Sequence, residues 1–224
     1  MERDTMFAQE NAWQTERLGK FTASEIHRLL KSGRKKEQLF GDGAMTFINE
    51  VIAEMITGEA AEQRDFKATE WGQANELDAI LDFQQRTSIQ VDYYGISNPK
   101  FFPYGDISGG SPDGLISELK AIVEVKCPYN SSNHVSYLIA AMSQPDIQAW
   151  FKDEHPDYYA QMQLNMMATG CNKGYFISYD PRTVEHKHRL VTFTINADEE
   201  MQADIEMRLA AALQIIQSNI QLLS

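Results

Sequence analysis

Ser111-Pro112-Asp113-Gly114, followed closely by Ala121-Ile122-Val123-Glu124-Val125-Lys126-Cys127-Pro128, is the stretch on which the fold turns. Pro-Asp-Gly is turn chemistry, whereas the second segment is a β-branched run carrying an acid and a lysine two apart. Side chains alternate across a strand, so Glu124 and Lys126 project from one face and Val123 and Val125 from the other. Pro128 ends the strand, because proline cannot donate to a central ladder. A hairpin joining the two segments would return Glu124 and Lys126 to the sheet end that carries Asp113. Glu118-Leu119-Lys120 has the same acid-x-lysine form but lies in the polar connection, where it is expected to be exposed. Glu124 and Lys126 are flanked by Val and Ile, and half-burying their charges is costly without a metal or a partner. The later pair is therefore the candidate.

Two carboxylates and a lysine at a strand end suit Mg²⁺-dependent phosphodiester hydrolysis. The hard cation takes carboxylate oxygens and keeps waters that can become nucleophiles, and the lysine can hold or deprotonate the attacking water. Asp113, Glu124 and Lys126 are on this reading catalytic, which makes the chain a candidate nuclease. Glu76, in Trp71-Gly72-Gln73-Ala74-Asn75-Glu76, falls inside a helical segment, and its spacing from Trp71 is compatible with facing the site or solvent. Trp13-Gln14-Thr15-Glu16-Arg17-Leu18-Gly19 leads into Thr22-Ala23-Ser24-Glu25, which has capping-box spacing with Thr22 as N-cap. A helix N-terminus there would offer unpaired N–H groups to a phosphate, with Arg17 adding bidentate contacts and Ser24 a hydroxyl. A surface arginine and an ordinary first-turn serine are the plainer alternative. Gln161 and Gln163 are polar among apolar neighbours, for which solvent exposure is the simple account. His186-Lys187-His188 has no third zinc ligand near it, and Gly-x-Ser-x-Gly, Walker A and Gly-x-Gly-x-x-Gly patterns are absent.

Composition bounds these readings. The 224 residues suffice for one well-buried domain spanning 1–224, and 43% hydrophobic with 23% charged residues is ordinary for a globular chain. A net charge of −12 argues against a protein that simply coats DNA, though an enzyme needs positive charge only where substrate passes. Arg28, Lys31, Arg34, Lys35 and Lys36 cluster around Ser32-Gly33 and form either a solvated loop or a DNA-contacting one. No apolar run is long enough to span a membrane, and the start of the chain has no signal-peptide core. Two cysteines, Cys127 and Cys171, cannot make a disulfide framework, so a cytoplasmic, reducing setting is expected.

Periodicity predicts short helix 22–30, then helix 44–56 with Phe47, Val51 and Met55 on one stripe and Gly58 beyond its end. A helix over about 68–86 follows, with Trp71, Ala74, Leu77 or Asp78, and Leu81 at helical spacing. Strands are expected at 89–94, 121–127, 175–179 and 190–195, the last two antiparallel through Asp180-Pro181-Arg182. Helices are expected near 135–143 and over 157–169 with Gly170 as a stop. A long C-terminal helix should be capped by Asn196 with Glu199, its stripe being Met201, Ile205, Leu209, Leu213 and Ile216. The pattern implies a mixed α/β domain with a sheet in the middle.

With these residues in view, the sequence resembles the phage lambda exonuclease (YqaJ-type) family of viral recombination nucleases. The resemblance rests on Trp13 to Ser24, Glu70-Trp71-Gly72 through Glu76, Ser111-Pro112-Asp113-Gly114, Glu124-Val125-Lys126-Cys127-Pro128, Tyr159-Ala160-Gln161-Met162-Gln163 and Tyr179-Asp180-Pro181-Arg182, in this order. It implies a restriction-endonuclease-like fold, a central mixed β-sheet flanked by helices, with a PD-(D/E)xK site. It implies Asp113 and Glu124 as Mg²⁺ ligands (Mn²⁺ substituting), Lys126 positioning or activating water, and Glu76 as a further acid. Arg17 and Ser24 would take a recessed 5′-phosphate, with Gln161 supporting the site. The implied activity is 5′-to-3′ degradation of one strand of linear double-stranded DNA to 5′-mononucleotides, leaving 3′ overhangs for a single-strand annealing protein. The implied assembly is a homotrimeric ring, in the cytoplasm of a bacterial host. A structure- or sequence-specific endonuclease on the same fold is the alternative, and a non-catalytic DNA-binding protein a third.

Overall fold

In the computed structural model, residues 2–34, 38–60, 66–95 and 98–223 are described. The expected strand forms as β6 (Ala121–Lys126), the middle of a five-stranded sheet. β5 (Gly114–Ile116) reaches it through a 3₁₀ turn at Ser117–Leu119 and pairs antiparallel, Gly114 opposite Val123 and Ile116 opposite Ala121. Glu118 and Lys120 are exposed in that turn, as expected of the decoy pair. The predicted strand at 89–94 contracts to β2 (Asp92–Tyr93), because the Val91 N–H is taken at 2.8 Å by the Gln84 side chain rather than by a neighbouring strand.

Beyond β6 the chain crosses over and returns as β7 (Lys173–Tyr179), parallel to β6, then turns back as β8 (Leu190–Asn196), giving the order β2-β5-β6-β7-β8. A parallel return needs a long connection, here α5 (Ser131–Ser143), α6 (Ile147–Glu154) and α7 (Pro156–Thr169). Pro156 opens α7, and Gly170, at φ +69°, stops it as predicted. α6 was not foreseen. Its apolar anchor Phe151 is fully buried against Tyr159, Phe176 and Phe193.

The two faces of the sheet carry separate cores, as strand alternation requires. Ile122 and Phe176 pack with Tyr137, Phe151 and Met162 under α5–α7, while Val123, Val125 and Ile177 pack against α4 (Phe66–Thr87). The α4 stripe differs from the predicted one. Leu77 and Leu81 are 48% and 51% exposed, and Ala79, Ile80 and Phe83 are buried instead. Glu76 lies one turn before Ile80 on that inward face.

A second sheet, absent from the sequence prediction, comprises β1 (Phe21–Thr22), β4 (Ser108–Gly110) and β3 (Phe102–Tyr104), with β1 parallel and β3 antiparallel to β4. It closes a third core with α2 (Ile26–Leu29), α3 (Asp42–Thr57) and α8 (Glu199–Leu223) around Phe21, Ile48 and Leu164. α3 buries Phe47 and Val51 as expected, but Met55 is 37% exposed and Ile48 and Ile52 take the inner face. α7 is therefore buried on both sides, which explains why its Tyr159-to-Met166 run is wholly buried. α1 (Glu2–Arg17), also absent from the sequence prediction, precedes this layer.

Two predicted caps differ. Thr22 holds the N-cap position, but of a 3₁₀ turn (Ala23–Glu25) leading into the single turn of α2, and its side chain makes no capping hydrogen bond, its hydroxyl lying 3.3 Å from that of Ser24. α8 is capped by Asp198, which accepts from the Met201 N–H at 3.0 Å; Asn196 is instead held by Gln148. Its stripe holds, with Ile205, Leu209 and Ile216 buried and Met201 and Leu213 packed against the core. Among the described residues, no helix is long and apolar enough to cross a membrane.

Candidate active site

Because Gly114 pairs with Val123, the hairpin register brings Asp113 alongside Glu124. The Asp113 Oδ2 accepts a 2.6 Å hydrogen bond from the Val125 N–H, and its backbone carbonyl accepts from the Tyr94 N–H at 2.8 Å. Oδ1 takes no hydrogen bond from the described residues. Glu124 is 1% exposed. Its Oε1 accepts from Lys126 Nζ at 2.7 Å and from Gln161 Nε2 at 2.6 Å, and its Oε2 accepts from Asn165 Nδ2 at 3.1 Å. The Lys126 ammonium also lies 4.9 Å from the centre of the Tyr158 ring. From the other side of the sheet, Glu76 accepts a 2.9 Å bond from the Tyr93 hydroxyl.

These charges feel one another. Burial, then the charges of Glu124 and Glu76, raise the Asp113 carboxyl well above the ordinary carboxylate range. Burial raises Glu76 as well, with the Tyr93 bond opposing and Glu124 adding to the rise. Burial alone would lower the Lys126 ammonium, but Glu124 and Asp113 outweigh it and the pKa is raised. The Cys127 thiol is pushed up to about 12, by burial first and then by the nearby acids, and behaves as an inert packed residue.

Three clustered carboxylates facing one ammonium leave an excess of negative charge in a half-buried site, and two of them already resist ionisation. Oxygen donors with that charge fit a hard divalent cation. Asp113 and Glu124 are the pair that could hold one, with Glu76 close by. Among the described residues, no group of three or more His, Cys, Asp or Glu side chains is arranged to hold a metal ion. Mg²⁺ does not require one, since it keeps several waters and uses one or two protein carboxylates.

A second group lies two residues before Asp113. The Ser111 hydroxyl accepts from Trp13 Nε1 at 2.9 Å and from Arg17 Nη1 at 3.3 Å, and the Arg17 guanidinium stacks 4.3 Å from the Trp13 ring. Burial lowers Arg17 to about 10, so it remains a cation at neutral pH. Ser24 is exposed on the turn after β1, whose pairing with β4 (Thr22 opposite Gly109) brings that turn to the strand that runs into Ser111. No hydrogen bond joins Arg17 to Ser24 among the described residues. The expected helix N-terminus beside them is corrected: a 3₁₀ turn and a four-residue helix lack the aligned peptides that build a dipole.

Gln161 and Gln163, which simple exposure would explain, are both buried. Gln161 grips Glu124, whereas Gln163 accepts the Asp198 N–H at 2.9 Å and organises the start of α8. Of the basic cluster, Arg28 is spent on Glu25 and Glu50 at 3.1 and 2.8 Å. Lys31 and Arg34 are exposed, and Lys35 and Lys36 lie outside the described residues.

Sequence reasoning did not foresee the parts of Trp13, Tyr93, Tyr158 or Asn165. Asn165 was within reach, being one helical turn after Gln161. Nor did it foresee the use of Asp180 and Arg182. Asp180 is fully buried and takes Arg182 Nε and Nη2 at 2.8 and 2.9 Å; the same guanidinium donates to the carbonyls of Pro128 and Tyr129 at 3.0 Å each and stacks 4.4 Å from Trp71. Arg182 thereby ties together the exit of β6 and the helix that carries Glu76.

A family model for the YqaJ-like viral recombinase domain matches residues 12–172. Among solved structures, the alkaline exonuclease LHK-Exo from Laribacter hongkongensis resembles the chain with a TM-score of 0.75 and 25% identity, covering 95% of each chain. The structure of LHK-Exo in complex with dAMP gives the same values of 0.75, 25% and 95%. A phage-related exonuclease from Haemophilus somnus 129PT shares the fold at a TM-score of 0.73 and 18% identity, covering 92% of this chain and 96% of that one. No curated protein sequence matches the chain.

Proposed function

The chain belongs to the family of YqaJ-like viral recombinase domains, and from that premise we propose that it is a divalent-metal-dependent deoxyribonuclease that resects one strand of linear double-stranded DNA from its 5′ end. The observation that carries the reading is the convergence of Asp113, Glu124, Lys126 and Glu76 at one end of the sheet, with Arg17 poised on Ser111 beside them. Neither a lone acid pair nor a lone arginine would suggest a phosphodiester. Together they offer a cation site and an anion site, joined through Asp113 and Ser111 in the short connection between β4 and β5.

Asp113 and Glu124 would hold Mg²⁺, or Mn²⁺ in its place, and the bound ion would supply Lewis acidity toward the phosphate and an activated water. Lys126, held as an ammonium by Glu124, orients water or a phosphate oxygen and offsets charge that develops on the phosphoryl group. Glu76 adds a second acceptor near the attacking side, its orientation set by Tyr93. Gln161 fixes the Glu124 carboxylate without neutralising it. Arg17 takes the terminal 5′-phosphate, with Ser24 contributing a hydroxyl, and the adjacency of these groups to Asp113 sets cleavage one step inside the end. A 5′-mononucleotide is then the product, in keeping with the dAMP held by the related LHK-Exo. The resemblance to the lambda exonuclease family extends the proposal to a homotrimeric ring around DNA and a single-strand annealing protein that receives the 3′ overhang.

The test is digestion of end-labelled linear duplex with Mg²⁺, beside covalently closed circles of the same sequence. Shortening from the 5′ ends with intact circles is expected. Cut circles would replace the exonuclease with an endonuclease, and no Mg²⁺-stimulated hydrolysis at all would remove the enzyme reading.

A further inference from the structure

Asn165 is fully buried and donates from Nδ2 to Glu124 Oε2 at 3.1 Å, yet its own Oδ1 has no hydrogen-bond partner among the described residues. An amide usually settles in the orientation that satisfies both ends. Turning this one over would aim its carbonyl oxygen at the Glu124 carboxylate, so the carboxylate dictates the orientation and the orphaned oxygen follows from it. That oxygen lies over Gly110 of β4. A Cβ placed on residue 110 would come within 2.0 Å of Asn165 Oδ1, and would meet Asn165 Cγ at 3.1 Å and Ala23 Cβ at 3.2 Å.

We propose that Asn165 is the positioning residue of Glu124 as a divalent-cation ligand, and that position 110 is glycine because only a residue without Cβ leaves the amide room. Gln161 and Asn165, one helical turn apart on α7, then hold the two carboxylate oxygens with neutral donors. Neutral donors fix geometry while leaving the negative charge for the cation, which the Lys126 contact alone cannot do. Gly110 ends β4 and precedes Ser111, so the same close approach seats the strand leading to the Arg17 contact against the helix that aims Glu124. The inference rests on the proposed function to the extent that Glu124 is a cation ligand.

The experiment measures Mn²⁺ binding by titration calorimetry to the full chain without DNA, in wild type, Asn165→Ala, Asn165→Asp, Gly110→Ala, the Gly110→Ala/Asn165→Ala pair and Glu124→Gln, each checked for folding by circular dichroism in chelator. Loss of an outer-shell partner of a metal ligand weakens affinity about 10- to 100-fold, and that loss is expected for Asn165→Ala and for Gly110→Ala. The double variant should bind no more weakly than Asn165→Ala alone, because removing the amide also removes the clash. Asn165→Asp keeps the shape but sets a carboxylate against Glu124, and should lose the Glu124-bound orientation as well; it carries the test if Gly110→Ala fails to fold. Unchanged Mn²⁺ affinity in Asn165→Ala, or losses that multiply in the double variant, would overturn the inference while Glu124→Gln still abolished binding. If Glu124→Gln bound Mn²⁺ like wild type, the metal reading itself would fall and the inference with it.

Discussion

The Oδ2 of Asp113 accepts a 2.6 Å hydrogen bond from the backbone N–H of Val125, so the turn acid is fastened to the strand between Glu124 and Lys126. That bond holds the two carboxylates near one another. The Asp113 pKa is raised by burial first and then by the charges of Glu124 and Glu76, with Lys126 and the Val125 bond itself opposing.

That coupling also governs stability. Asp113 and Glu76 both have folded-state pKa values above those of the unfolded chain. In the window between the two, the folded protein binds more protons than the unfolded one. The contribution of these two acids to stability without metal is therefore greatest below about pH 4, the ordinary carboxylate value, and falls as pH rises through the folded values. Melting temperatures in chelator should decline with pH more steeply for wild type than for Asp113→Asn, and stabilisation by Mg²⁺ should grow with pH. Parallel curves for the two proteins would contradict the assignment.

Lys126→Ala removes the ammonium paired with Glu124 and should reduce single-turnover cleavage of duplex by roughly 10²- to 10³-fold. Binding to DNA, measured by gel shift in Ca²⁺ or chelator, should change little because the ammonium acts on the reacting phosphate. A variant with full activity would remove Lys126 from the mechanism.

Arg17→Ala should weaken use of 5′-phosphorylated ends while leaving 5′-hydroxyl ends nearly unaffected. A charge-assisted hydrogen bond to phosphate corresponds to about 10- to 100-fold in apparent KM. The measurement is initial rate against concentration for the two end chemistries. If the parent protein digests both equally, Arg17 has no such role.

Asp180→Asn probes the tie between β6 and α4. The Asp180 carboxyl is held down to about 2, where burial opposes but the Arg182 bonds prevail. A depressed folded pKa contributes stability above the unfolded value and loses it as pH falls through the folded one. The substitution should cost roughly 2 kcal/mol at neutral pH, with the difference from wild type vanishing between about pH 4 and pH 2. Denaturant titrations across that range would show whether the gap closes.

The outcome for individual elements shows what kind of information each residue carried. β6 was legible down to which side chains share a face, because strand alternation has a period of two and Pro128 marks its end. The antiparallel β7–β8 pair and the Gly170 stop were legible for the same reason: each is written within a few adjacent residues. α4 existed as predicted but buried a different face. It carries two overlapping apolar rows, and the row with Ala79, Ile80 and Phe83 is chosen by the sheet it meets rather than by its own hydrophobicity. That choice turned Glu76 inward.

Glu124 and Lys126 on one strand face, with Asp113 in the turn before them, were legible in the chain alone, since turn chemistry and alternation act between near neighbours. The donors that surround them were decided only by folding. Trp13 meets Ser111 across 98 positions, Gln161 and Asn165 reach Glu124 across 37 and 41, and Tyr93 reaches Glu76 from another element. No local rule ties such residues together. Gln161 and Asn165 become partners of Glu124 because α7 is packed between two cores and presents them to the sheet, while Trp13 and Tyr93 are brought in by other elements.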